Sequence, residues 1–71
     1  MKKLEINMDV VRDHGAVAAV ALAIVEKEGK NVTNTSVSLE MGVTFPTAKK
    51  TLMELAKNNL IKQVGKEYAK I

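Results

Sequence analysis

Two threonine hydroxyls and two lysine ammonium groups fall within the seven residues Thr44-Phe45-Pro46-Thr47-Ala48-Lys49-Lys50. Lysine is a compact positive charge with three donors, and a threonine hydroxyl donates to a phosphate oxygen or a base edge. Pro46 fits the first turn of a helix, where a missing N–H costs nothing. If a helix starts at Thr44, its free amides add a preference for an anion. This stretch is suited to hold a polyanion, which an ordinary core helix has no need to do. The plainer reading of Lys49 and Lys50 is solvated surface charge.

Covalent or metal chemistry has little to work with. The chain has no cysteine and one histidine, His14, which reads as a helix-start residue. No carboxylates are paired in apolar surroundings, and no nucleophile has a base beside it. Neither a phosphate-cradling glycine loop nor a metal-ligand set is visible. The expectation is a protein that is not an enzyme, with no cofactor, no metal and no small-molecule ligand.

At 71 residues the chain reads as a single domain, residues 1–71, with a marginal core. Its 46% hydrophobic and 27% charged content describes a globular chain. Residues 1–43 carry five basic side chains (Lys2, Lys3, Arg12, Lys27, Lys30) against six acidic ones (Glu5, Asp9, Asp13, Glu26, Glu28, Glu40). Residues 44–71 carry six lysines (Lys49, Lys50, Lys57, Lys62, Lys66, Lys70) against Glu54 and Glu67. The net +3 is therefore concentrated at the C-terminal end, which suggests an anionic partner there, or a lysine-rich solvated surface. The longest apolar run, Ala16 to Val25, is far below the roughly 20 residues that span a bilayer, so no membrane partner is expected. With no signal-peptide pattern and no cysteine, the expected location is cytoplasmic.

The elements that position these residues follow from period and punctuation. Leu4, Ile6, Met8 and Val10 alternate with Glu5, Asn7 and Asp9, the period of a half-buried N-terminal strand. Such a strand must pair with the C-terminal hairpin or with a second subunit. Asp13 is placed to cap a first helix from His14 to Gly29. The ten apolar residues Ala16–Val25 leave that helix no wet face, which suggests a homodimer covering part of it. Otherwise Ala18, Ala19 and Ala23 simply face water. A second helix, capped by Thr33 or Asn34, runs to Met41 and breaks at Gly42 in a left-handed conformation. The third starts at the cap Thr44, carries Ala48, Leu52, Leu55 and Ala56 as its apolar stripe, and ends near Asn59. Met53 and Lys57 lie on its outer side. The tail reads as two short strands around Gly65-Lys66.

That order resembles the winged helix-turn-helix family. The resemblance rests on Val37-Ser38, Leu39-Glu40 and Met41-Gly42-Val43-Thr44 through the turn. It continues through Thr44-Phe45-Pro46-Thr47-Ala48-Lys49-Lys50, Leu52, Leu55 and Asn59-Leu60-Ile61. It covers roughly Val10 to Ile71. The fold it implies is mainly α with a small β wing: three helices, a C-terminal β-hairpin and the N-terminal strand. The layout is similar to GntR-type and MarR-type regulators and to the N-terminal domains of plasmid and phage replication proteins. Ser38 stands where the family usually has alanine, Asn59 where it has glycine, and no arginine occurs in the recognition helix. Guanine reading by a bidentate arginine is therefore missing.

The resemblance implies double-stranded DNA as partner, with the start of the third helix in the major groove. Lys49 and Lys50 then reach phosphates or a guanine edge, Thr47 a phosphate or base, and Phe45 and Pro46 the methyl groups of thymine. Phe45 could instead pack under the helix as a hydrophobic staple. Lys57 lies further along the same helix. Lys66, at the wing tip, suits a phosphate or minor-groove contact or is a bare turn lysine; Lys62, Lys70 and Tyr68 are weaker candidates. The expected function is a small transcriptional regulator acting by promoter occlusion, since the length leaves no room for an effector domain. A replication or plasmid-maintenance factor is the alternative within DNA binding. A protein-interaction module is the alternative outside it.

Overall fold

The computed structural model describes residues 6–71. Four helices, α1 (Met8–His14), α2 (Ala16–Glu28), α3 (Asn34–Met41) and α4 (Phe45–Lys57), precede a hairpin of β1 (Ile61–Val64) and β2 (Glu67–Lys70). The two strands are antiparallel, with Ile61 opposite Lys70 and Val64 opposite Glu67. Gly65 opens the connecting turn with φ 64°, at the position where a two-residue hairpin loop takes glycine.

The helix boundaries have local causes. Thr33 and Ser36 form a reciprocal capping box at the start of α3, each side chain bonding the other's backbone N–H. Gly42 closes α3 in the left-handed region, with its N–H on the Ser38 carbonyl. α4 ends in a Schellman arrangement: Asn59 N–H donates to Ala56 O and Leu60 N–H to Leu55 O, both at 3.0 Å. Asn59 itself is left-handed, with φ 62°.

The core is built around α2. Ala19 and Ala21–Val25 are buried and pack with Val37, Ala48, Leu52, Leu55, Ile61 and Tyr68. α2 contacts α1, α3, α4 and β2, which cover Ala19 and Ala21–Val25, while Ala16 and Val17 at its start stay exposed. The middle of the run is thus buried within one chain, and Val17, 46% exposed, is the large apolar side chain of α2 left open for a second copy. Of the three alanines that the alternative reading put at a water face, Ala19 and Ala23 are buried and Ala18 is partly so.

Two expectations at the N-terminal end need correction. The strand is absent among the described residues: Met8 and Val10 lie in α1, and residues 1–5 lie outside the described part. The Asn7 carboxamide oxygen accepts from Asp9 N–H at 2.9 Å and Val10 N–H at 3.4 Å, so it caps a helix where the alternation suggested extended chain. Asp13 consequently sits near the end of α1. α2 begins after Gly15, not at His14, with no side-chain cap. The helix count among the described residues is thus four rather than three.

A further backbone link fixes the hairpin against the helices. Val32, between α2 and α3, pairs with Tyr68 of β2 through Val32 N–H to Tyr68 O at 3.0 Å and Tyr68 N–H to Val32 O at 2.7 Å. Lys70 N–H donates to Gly29 O at 2.8 Å. The hairpin is thereby tied to the segment that joins α2 to α3.

Candidate nucleic-acid interface

α4 is amphipathic because its residues alternate at helical spacing. Ala48, Leu52 and Leu55 are buried on the side that meets α2 and α3. Pro46, Lys49, Lys50, Met53 and Lys57 recur at intervals of three and four on the opposite side. With Glu54 they line one shallow groove. A second groove shares Met53 and Lys57 and continues past Asn59 to Ile61, Lys62 and Gln63 of β1. The outer face of α4 and the base of the hairpin thus form one continuous surface. It carries Lys49, Lys50, Lys57 and Lys62 against the single carboxylate of Glu54.

Those lysines are electrically uncommitted. Among the described residues the ion pairs join Arg12 to Asp9 and Asp13, and Lys27 to Glu40. None of the lysines of α4 or the hairpin pairs with a described carboxylate. Lys27 and Glu40 serve a structural end, tying α2 to α3. The hydrogen bond that the Lys27 ammonium donates to the Glu40 carboxylate raises its pKa above the usual range.

The residues expected from sequence separate into groups. Lys49, Lys50, Lys57 and Pro46 come together in the α4 groove. Thr44 and Thr47 are exposed at the helix start, with their hydroxyl oxygens 2.9 Å apart in a shared hydrogen bond. Thr44 occupies the cap position, but its side chain caps no amide. The Thr47 amide is left open at the N-terminus, where an anion is favoured. Phe45 is 48% exposed, outside the core cluster and outside both grooves, so it is not a staple beneath the helix. Lys66 is exposed in the hairpin turn and lines neither groove. Tyr68 is 2% exposed and belongs to the core; burial raises its phenol above the usual range. It presents no surface to a partner.

Sequence reading underweighted Met53, Lys62 and Gln63. Met53 is 51% exposed and borders both grooves. The signal was available, since Met53 lies seven residues after Pro46 and so on the same helical face. Lys62 follows the buried Ile61 on β1, and strand alternation alone turns it outward. No family model, no curated protein and no solved structure matches the chain. The arrangement itself is therefore the ground for a functional reading.

No helix among the described residues is long and apolar enough to cross a membrane. No group of three metal-ligating side chains comes together among them.

Proposed function

We propose that this is a duplex-DNA-binding protein of the winged helix-turn-helix type, and that it regulates transcription by occupying a promoter. The observation that carries the proposal is the outer face of α4. Lys49, Lys50 and Lys57 share it with no described carboxylate paired to them, the first two close to the start of a helix whose first turn lacks a side-chain cap and Lys57 at its end. A polyanion is the partner that satisfies both the lysines and the open amides.

The topology supports the reading. α3 packs against α4 across the short turn Gly42–Val43–Thr44, as the two helices of a helix-turn-helix do. The order α2, Val32 bridge, α3, α4 and hairpin matches the order of a winged helix. In that geometry α4 enters the major groove. Lys62 at the groove edge and Lys66 in the turn give the hairpin cations for the flanking backbone. The protein-interaction alternative would gain if the exposed apolar side chains formed a patch apart from the lysines. Pro46 and Met53 instead share their groove with Lys49, Lys50 and Lys57, while Phe45 and Lys66 lie outside it.

The test is fluorescence anisotropy on a labelled random-sequence duplex across a salt series. Wild type should bind with a negative log–log salt slope. Lys49→Ala/Lys50→Ala should lose about 1.8 units of that slope, the value for two neutralised phosphates. Absence of wild-type binding at low salt would sink the proposal.

A further inference from the structure

The distribution of side-chain types over the outer face of α4 has implications for sequence preference. The exposed residues of α4 are Phe45, Pro46, Thr47, Lys49, Lys50, Met53, Glu54 and Lys57. None is arginine, asparagine or glutamine, so among the side chains that read guanine or adenine with paired hydrogen bonds only lysine is present, and only toward guanine. The lysines are flexible point charges suited to phosphate. What remains in the groove's lining is hydrocarbon: the Pro46 ring and the Met53 side chain, which share the groove with Lys49, Lys50 and Lys57. In a major groove the apolar feature at base level is the methyl on pyrimidine C5, carried by thymine and by 5-methylcytosine.

We propose that α4 reads C5-methyl groups through Pro46 and Met53, so that the protein prefers thymine or 5-methylcytosine at two positions in its site. This rests on the DNA-binding reading above. Pro46 and Met53 are seven residues apart, about 10 Å along the helix axis. At about 3.4 Å per nucleotide, that is about three base steps. Charge and shape divide the work: Lys49, Lys50 and Lys57 hold the backbone on either side, and the apolar pair between them contacts the methyl edge. One carboxylate, Glu54, borders the groove and repels phosphate, which favours seating the groove's centre at base level rather than on the backbone.

The experiment needs no change in the protein. An A·T duplex is compared with the same duplex carrying deoxyuridine for thymidine, which removes only the methyl. A G·C duplex is compared with its 5-methylcytosine counterpart. Wild type, Met53→Ala and Pro46→Ala are titrated against all four at one low salt concentration. Deoxyuridine should weaken wild-type binding about four-fold per contacted methyl, and 5-methylcytosine should strengthen it similarly. Each variant should lose part of that discrimination and keep the salt slope. Equal binding to the thymidine and deoxyuridine duplexes, with the salt slope intact, overturns methyl reading and leaves DNA binding standing. Discrimination that survives in both variants overturns the assignment to Pro46 and Met53. No binding to any duplex overturns both this inference and the DNA reading beneath it.

Discussion

Tyr68 shows how one side chain changes role between sequence and structure. By position in the tail it was a weak surface candidate, flanked by Glu67 and Ala69 in a lysine-rich hairpin. Its backbone pairs with Val32 and its ring is buried against the core. Burial disfavours the charged phenolate, so its folded value lies above the ordinary 10.0. Lys27 is raised as well, chiefly by the hydrogen bond it donates to the Glu40 carboxylate. In both cases the folded state holds its proton more tightly than the unfolded chain. Their contributions are fully present below the unfolded values of 10.0 and 10.5, and are lost as pH rises through the folded ones. Stability against urea should therefore hold from neutral pH to about 10 and fall above it. Tyr68 is the chain's one tyrosine, so tyrosinate absorbance reports it alone. The folded protein should titrate at higher pH than the chain in denaturant; coincident curves would refute its burial.

At the scale of the elements, caps and left-handed residues fixed the layout more firmly than hydrophobic period did. Gly42 has φ 69°, and a Cβ placed there meets nothing within 4 Å, so a substitution costs backbone conformation alone. Gly42→Ala should lower stability by about 1–2 kcal/mol, with Gly42→Asn recovering part of the loss. Asn7→Ala should cost about 1 kcal/mol through α1. Urea unfolding measures each, and an unchanged midpoint for Gly42→Ala would contradict a left-handed turn there. The cap at Thr33 or Asn34, the break at Gly42, Pro46 in the first turn of α4 and the hairpin at Gly65 were all legible, because each is a local demand of the backbone, and the structure decides the cap for Thr33. α1 was not, because two local signals conflicted. Leu4 to Val10 alternate in period two, while Asn7, the acid Asp9 in the first turn, Arg12 in the last and Gly15 beyond it spell a short capped helix. The cap prevailed once α1 could bury Val10 against α2. The lysine face of α4 was equally readable, since helical spacing alone puts Lys49, Lys50 and Lys57 together. The groove's extension to Lys62 was not, because it depends on where the Val32–Tyr68 bridge anchors the hairpin.

For the molecule as a whole, the open question left by composition was how 71 residues stabilise a core without a disulfide. The structure closes that core within one chain. Ile24, Val25, Leu52, Leu55 and Ile61 are almost wholly buried, and each contributes about 1.5–3 kcal/mol of apolar burial. A domain of this length has a net stability of about 4–11 kcal/mol, so Leu52→Ala, at about 2–5 kcal/mol, would remove a large share of it. The large apolar side chains left outside, among them Met8 on α1, Val17 on α2, Leu39 on α3, Met53 on α4 and Val64 on β1, are spread over several elements and leave out the covered middle of α2. The cluster of buried side chains forms within one chain, which is the ground for expecting it to fold alone. An obligate dimer gains stability by mass action, and its melting temperature climbs with concentration; a self-sufficient chain shows no such dependence. The thermal midpoint should stay constant over a hundred-fold dilution series followed by circular dichroism. A midpoint that rises with concentration would mean that folding draws on a partner copy, and Val17 and Met8, exposed on α2 and α1, would be the first side chains to substitute in search of the contact.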